Sequence, residues 1–245
     1  MEWRENQGLE WLEAKLPGTT VAFTTRTGGV SEGPFSTLNL GILTDDDADA
    51  VKSNRQRLAD ALGIDGTRVA MGRQVHGSDI AFHAEGPVEP HFFNPGRPPQ
   101  DVDGHLTDAP GLPLFVLVAD CLPVAMSGPG GIAMLHCGWR GLAGSIVEDA
   151  AKRIAATHAA VGPGIGPCCF EVGEEVFAAF DGLGDGLRQG NNLDLWKVAR
   201  RKLDNAGVET VDVAEVCTFC DSRRFFSHRR DHGRTGRQAG IAWLG

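Results

Sequence analysis

Three short segments carry side chains that bind borderline metal ions: Gln74-Val75-His76-Gly77, Asp120-Cys121-Leu122-Pro123 and His136-Cys137-Gly138-Trp139-Arg140-Gly141. Each ends a predicted strand and sits beside Gly or Pro. Strand ends of a mixed sheet open into crevices, and glycine lets backbone come close to a ligand. Two imidazoles, His76 and His136, with the Cys121 thiolate suit Zn²⁺, and three protein donors leave the fourth tetrahedral position open, as in catalytic zinc sites. The same residues also fit a plainer role, with the histidines hydrogen-bonded at a sheet edge and Cys121 in the core. Asp120, next to Cys121 on a strand, points to the opposite face; it supports a ligating histidine, does acid–base work, or is a buried carboxylate held by backbone donors.

Arginines supply the complementary charge. Arg140 opens a predicted helix beside Gly138 and Gly141, where unpaired N–H groups attract an anion. Arg223, Arg224, Arg229, Arg230, Arg234 and Arg237 fall in a stretch with one acid, Asp231. Such a run either recognises phosphate through its guanidinium forks or forms internal pairs on a solvated face. Cys217 and Cys220 are spaced like half a zinc site, but adjacent Cys168 and Cys169 make a poor second half. The expectation is that these are buried structural thiols and not ligands.

The elements that must position these residues alternate between periods of two and of about 3.6. Strands are predicted at Thr19–Thr25, Thr67–Val75, Leu112–Ala119, Gly131–His136, Val208–Val216, Phe225–Arg229 and residues 237–244. Helices are predicted over Asp46–Leu62, from Arg140 to about His158, over Gly173–Phe180, and over Leu193–Asn205 with Gly207 just past its end. Residues 84–111, with six prolines, read as a Pro/Gly-rich surface excursion. The fold class expected is α/β: a single mixed α/β domain over residues 1–245, with central mixed sheets flanked by helices. A formal charge of −9 disfavours nucleic acid and anionic membranes as partners. The acidic first sixteen residues lack the pattern of a secretory signal, and no apolar run is long enough to span a bilayer, so a cytoplasmic protein is expected.

The three ligand segments, together with Thr24–Gly33, Asn54-Arg55, Gly162–Val172, Cys217-Thr218 and Phe225–Arg237, resemble the YfiH or multicopper polyphenol oxidase ("laccase-domain") family, also called the peptidoglycan editing factor family. The likeness runs from about residue 19 to 244. It implies a metal centre of His76, Cys121 and His136. It also implies a purine nucleoside enzyme that phosphorolyses adenosine, inosine and related nucleosides, with adenosine deamination among the family's activities. Nucleosides and phosphate are the partners implied. Arg55, in the family's NR pair, and Arg237, in its TGR segment, join Arg140 as expected substrate-binding residues; Asp120, Cys121 and His136 are the expected catalytic ones. Two positions depart from the family pattern: Cys137 replaces the usual Ala, and His228 the usual Tyr.

The oxidase name meets a chemical objection. A multicopper centre needs many imidazoles, generally as H-x-H pairs, and none of the eight histidines forms one. Zinc is therefore the expected metal, although copper would bind the same donors on the Irving–Williams order. The alternatives are a Cys-His hydrolase editing peptidoglycan precursors, with Cys121 as nucleophile, and a copper-dependent phenol oxidase.

Overall fold

Apolar side chains alternating along the strands sort the chain into stacked layers. The computed structural model describes residues 1–94 and 100–245. The chain runs through β1 (Glu2–Asn6), β2 (Leu9–Leu16), β3 (Thr19–Thr24), α1 (Ala48–Leu62), β4 (Ile80–Phe82), β5 (Gly104–Thr107), β6 (Leu114–Val118), β7 (Leu122–Gly128) and β8 (Gly131–Cys137). It continues with α2 (Trp139–Ala143), α3 (Ile146–Ile154), β9 (His158–Val161), α4 (Glu174–Ala178), β10 (Arg188–Gln189), β11 (Asn192–Leu193), α5 (Leu195–Asn205), β12 (Thr210–Val213) and β13 (Gln238–Leu244).

A five-stranded antiparallel sheet has the order β1-β2-β3-β13-β6, and a six-stranded mixed sheet the order β12-β9-β7-β8-β5-β4. Leu114, Val116 and Ala242 of the first sheet meet Ala125, Ile132 and Met134 of the second in one apolar layer. The opposite face of the first sheet, with Phe115 and Ile241, packs under Leu58, Ala59 and Ala61 of α1. The opposite face of the second, with Val124, Leu135 and Cys137, is covered by Ile146, Val147, Val198 and Leu203 of α3 and α5. The order of layers is helix, sheet, sheet, helices. This is the mixed α/β architecture expected. Among the described residues, no helix is long and apolar enough to cross a membrane.

Local chemistry explains the element ends. Asp47 caps α1 by accepting from Asp49 N (2.7 Å) and Ala50 N (3.2 Å), and Gly63 stops it at φ 66°, where a Cβ is unfavourable. The helix expected from Arg140 to His158 is instead two, because Ser145 takes φ 69° between α2 and α3, and His158 already belongs to β9.

Two predicted strands are absent for a shared reason. Over Thr67–Val75 the backbone makes only isolated bridges, Ala70 to Leu114 and Arg73 to Asp101. There the Gln74 side chain takes the place of a strand partner on β6, donating to Leu117 O (2.7 Å) and accepting from Leu117 N (2.8 Å). Likewise, Phe225 and Phe226 are buried but lie in irregular chain between two turns, and Gln238 pairs through its side chain with Phe226 N (2.9 Å) and Phe226 O (3.2 Å). A side-chain amide satisfies the backbone without a ladder in both places, which frees the chain to turn.

The expectation of a surface excursion over 84–111 needs correcting. Gly104–Thr107 is a fully buried strand between β4 and β8, and Asp103 just before it is 0% exposed. The prolines up to Pro90 precede this buried turn of chain, while Pro95, Pro98 and Pro99 lie outside the described residues.

Candidate metal centre and its cleft

Strand alternation places His136 near the end of β8 on the face shared with Ile132 and Met134, while Cys137 faces the helices among Val147 and Leu203. Cys121 lies in the connection from β6 to β7, where the chain passes from one sheet to the other. His76 stands in the turn after Gln74. One ligand atom from each of His76, Cys121 and His136 lies within 4.8 Å of the others. The two rings meet edge to face, with centroids 4.9 Å apart.

Asp103 organises this group, and sequence reasoning missed it. Its Oδ1 accepts from His136 Nδ1 (2.7 Å) and His76 N (2.9 Å); its Oδ2 accepts from Gly77 N (2.7 Å) and Val75 N (3.1 Å). Three consecutive N–H groups thus wrap one buried carboxylate, which holds His76 at φ 61°, a left-handed conformation unusual for a histidine. The bond to Nδ1 leaves His136 Nε2 to face Cys121, the arrangement of a ligating histidine oriented by a carboxylate. The signal available in the sequence is Gly104 beside Asp103, the same pairing with glycine seen at His76-Gly77.

Charge settles on the same atoms. Burial alone would push the Cys121 thiol up, but the charge of His136 and hydrogen bonds from His136 and His76 outweigh it and bring the thiol down to about 6. Burial would likewise lower His136, yet the Cys121 thiolate and Asp103 raise it to about 9. Burial opposes ionisation of Asp103 too; the bond from His136 and those from Gly77 and Val75 hold it below the usual carboxylate range. Without metal, the donors form a thiolate–imidazolium pair backed by a carboxylate.

The residues fit zinc. A thiolate and two imidazoles are borderline donors, close enough to share one ion, and the second ring nitrogen of His136 is already occupied. Gly138 leaves room here, since a Cβ on it would lie 3.1 Å from Cys121 Sγ and 3.4 Å from the His76 ring, tight enough that the sulfur would have to shift by a few tenths of an ångström.

These donors open into a cleft of about 410 Å³ lined by Met71, Leu117, Trp139, Ile165 and Phe170 and, among charged groups, by Arg73, Asp120, Arg140, Arg229 and Arg237. That volume is in the range of small-molecule sites, roughly 300–1,000 Å³. Asp120, at φ 92°, accepts from Thr218 Oγ1 (2.7 Å) and Arg229 N (2.7 Å) and hydrogen-bonds to neither histidine. Of the alternatives for this residue, support of a ligating histidine falls to Asp103 instead. Arg140 projects from α2 over the Trp139 ring, 4.5 Å from its centroid, and has no hydrogen-bonding or ionic partner among the described residues. Arg237 Nη1 donates to Thr235 O (2.9 Å) and Gly236 O (2.8 Å), leaving its other N–H groups for the cleft.

Arg55 is not part of the cleft, contrary to the expectation that it binds substrate. It is 1% exposed on α1, between Phe92 and Phe115. Its guanidinium is spent on Leu40 O (2.9 and 2.7 Å) and Phe92 O (2.9 Å). Within the arginine-rich stretch, Arg224 pairs with Glu10 and Asp221, and Arg230 with Asp231, so only Arg229 and Arg237 reach the cleft. His228, exposed at the cleft wall, was singled out only as a departure from the family pattern.

The expectation that Cys168, Cys169, Cys217 and Cys220 are buried structural thiols needs correcting. The sulfurs of Cys168, Cys169, Cys217 and Cys220 lie within 4.8 Å of one another, and Cys168 and Cys220 are exposed. Adjacent cysteines converge because the turn at Cys168-Cys169 lies alongside the turn at Cys217–Cys220.

The family model for multi-copper polyphenol oxidoreductase laccase matches residues 20–245. The chain belongs to that family. Among curated proteins it is 36% identical to purine nucleoside phosphorylase YlmD of Geobacillus stearothermophilus, covering 98% of this chain and 96% of that protein. It is 36% identical to purine nucleoside phosphorylase YfiH of Escherichia coli (96% and 97% covered) and 39% identical to a purine nucleoside phosphorylase of Deinococcus radiodurans (97% and 94%). The crystal structure of YlmD from Geobacillus stearothermophilus superposes with a TM-score of 0.90 at 34% identity, covering 98% of this chain and 97% of that one. That of the Bacillus licheniformis hypothetical protein YfiH gives 0.89 at 30% identity, with 99% of each chain covered.

Proposed function

We propose that the chain is a zinc-dependent purine nucleoside phosphorylase, taking adenosine, inosine and related nucleosides with phosphate as acceptor. The observation that carries this is the convergence, in one cleft, of the His76, Cys121 and His136 donors with Arg140, Arg229 and Arg237. The names of the curated relatives point the same way. Zinc held by the three donors would supply a Lewis acid with one open position.

The chain's own residues do the positioning. Cleavage of an N-glycosidic bond passes through a state with positive charge on the sugar, so the site must hold phosphate against C1′ and stabilise the charges that separate. Arg140, whose guanidinium stacks on Trp139 but makes no hydrogen bond or ion pair among the described residues, suits phosphate, and Arg237 lines the same space. Trp139 and Phe170 line the same cleft and supply aromatic surface against which a purine can pack. We assign Asp120 to the ribose, because each of its oxygens already accepts one hydrogen bond and keeps a lone pair for a hydroxyl. Cys121 and His136 take part as ligands.

One observation favours a second reading. Asp103, His136 and Cys121 line up as acid, imidazole and thiol, the arrangement of an activated nucleophile, which would serve a metal-free hydrolase acting on cell-wall precursors. Product analysis on adenosine, inosine, guanosine and methylthioadenosine, with and without phosphate, tests the proposal. Phosphorolysis gives free base and ribose 1-phosphate, or 5-methylthioribose 1-phosphate from methylthioadenosine, only when phosphate is present. Base released without phosphate indicates hydrolysis, inosine from adenosine indicates deamination, and no turnover by zinc-loaded protein rejects a nucleoside substrate.

A further inference from the structure

None of the four clustered cysteines lines the cleft. They sit beyond the ends of β9 and β12, which pair in parallel. The chains leaving those strands stay side by side: Gly164 N donates to Val216 O (3.2 Å) and Thr218 N to Gly164 O (3.1 Å). This brings the turn carrying Cys168 and Cys169 onto the turn Cys217–Cys220.

The sulfur spacings are informative. Cys168 to Cys220 is 3.6 Å, Cys168 to Cys169 is 3.6 Å and Cys169 to Cys220 is 3.4 Å. A disulfide needs about 2.05 Å. A zinc ion bonded to four sulfurs at about 2.3 Å sets tetrahedral edges of about 3.8 Å, close to the separations found. Cys217 Sγ also accepts from Gly166 N at 3.2 Å, an N–H···S bond of the kind that steadies a ligating thiolate. Core packing does not explain the group, because Cys168 and Cys220 are exposed.

We propose that Cys168, Cys169, Cys217 and Cys220 form a second metal site, a closed tetrathiolate centre for a structural zinc ion. Four protein ligands leave no open position, so the ion would staple two loops rather than perform chemistry. Both loops support the cleft wall. Phe170 follows Cys169 directly and lines the cleft, and Thr218, between Cys217 and Cys220, donates to Asp120 Oδ1 at 2.7 Å. Arg230 Nη1 donates to Thr218 O at 2.9 Å and ties the same turn to the next loop.

Metal analysis on full-length protein purified under reducing conditions tests this. Cys121→Ala removes the first site, so this variant should retain one equivalent of zinc, and adding Cys220→Ser should release it. Replacing that zinc by Co²⁺ in the Cys121→Ala protein should give the intense sulfur-to-cobalt absorption of a tetrathiolate, a readout that leaves the cluster unmutated. The proposal is overturned if reduced Cys121→Ala protein, supplied with zinc, holds none while all four thiols react freely. It is equally overturned if mass spectrometry finds a disulfide within the cluster whose reduction does not restore metal binding.

Discussion

Asp103 is the residue on which the proposed metal centre turns, since one carboxylate orients the His136 ring and the backbone of the His76 turn together. Asp103→Asn keeps the size but replaces one acceptor oxygen with a donor facing N–H groups. Zinc affinity should fall about 10- to 100-fold, measured by competition with a chromogenic chelator, while the chain stays folded. The thiolate at Cys121 has its own signature. In metal-free protein its thiol lies at about 6 rather than the usual 9, and only the thiolate attacks iodoacetamide. Alkylation of Cys121, followed by peptide mass mapping, should therefore rise through pH 6, and zinc should suppress it. A rise centred near pH 9 would show that His136 and His76 do not support the thiolate. Arg140→Ala should retain zinc but raise the KM for phosphate, because its charge lies outside the ligand set.

At the scale of elements, β3, α1, β6, β8, α5 and β13 were legible because period and caps agree: Val21 and Phe23 alternate, and Asp47 and Gly63 bracket α1. The strands at Thr67–Val75 and Phe225–Arg229 were misread because a glutamine side chain standing in for a ladder, Gln74 within the first segment and Gln238 outside the second, cannot be seen in the sequence. Strand β5 was hidden by the prolines before it, and Asp103 with it. The convergence of His76, Cys121 and His136 was legible from their ligand chemistry near Gly or Pro, although His76 follows a segment that is no strand and Cys121 precedes β7. Arg55 was misassigned because a buried arginine and a substrate-binding one look alike in sequence; only the fold shows its guanidinium joining α1 to Leu40 and Phe92. Arg55→Met should cost about 3 kcal/mol of stability, since buried carbonyls lose their donors. Urea unfolding measures this, and at temperatures where the variant is folded its KM for nucleoside and phosphate should match the wild type.

Across the whole molecule, the two stacked sheets make the site possible. His136 comes from the six-stranded sheet, Cys121 from the crossing between sheets, and His76 from the turn that Gln74 docks on the edge strand of the other sheet. Ligands from three separate places are thereby fixed by the apolar layer between the sheets. The central claim is that these donors hold an ion on which nucleoside cleavage depends. The most direct test measures zinc content and phosphate-dependent inosine cleavage on the same samples of wild-type and Cys121→Ala protein. Two imidazoles alone hold zinc poorly, so the variant should lose one equivalent of metal and its turnover together. A Cys121→Ala protein that has lost that equivalent yet cleaves inosine at the wild-type rate would contradict the claim.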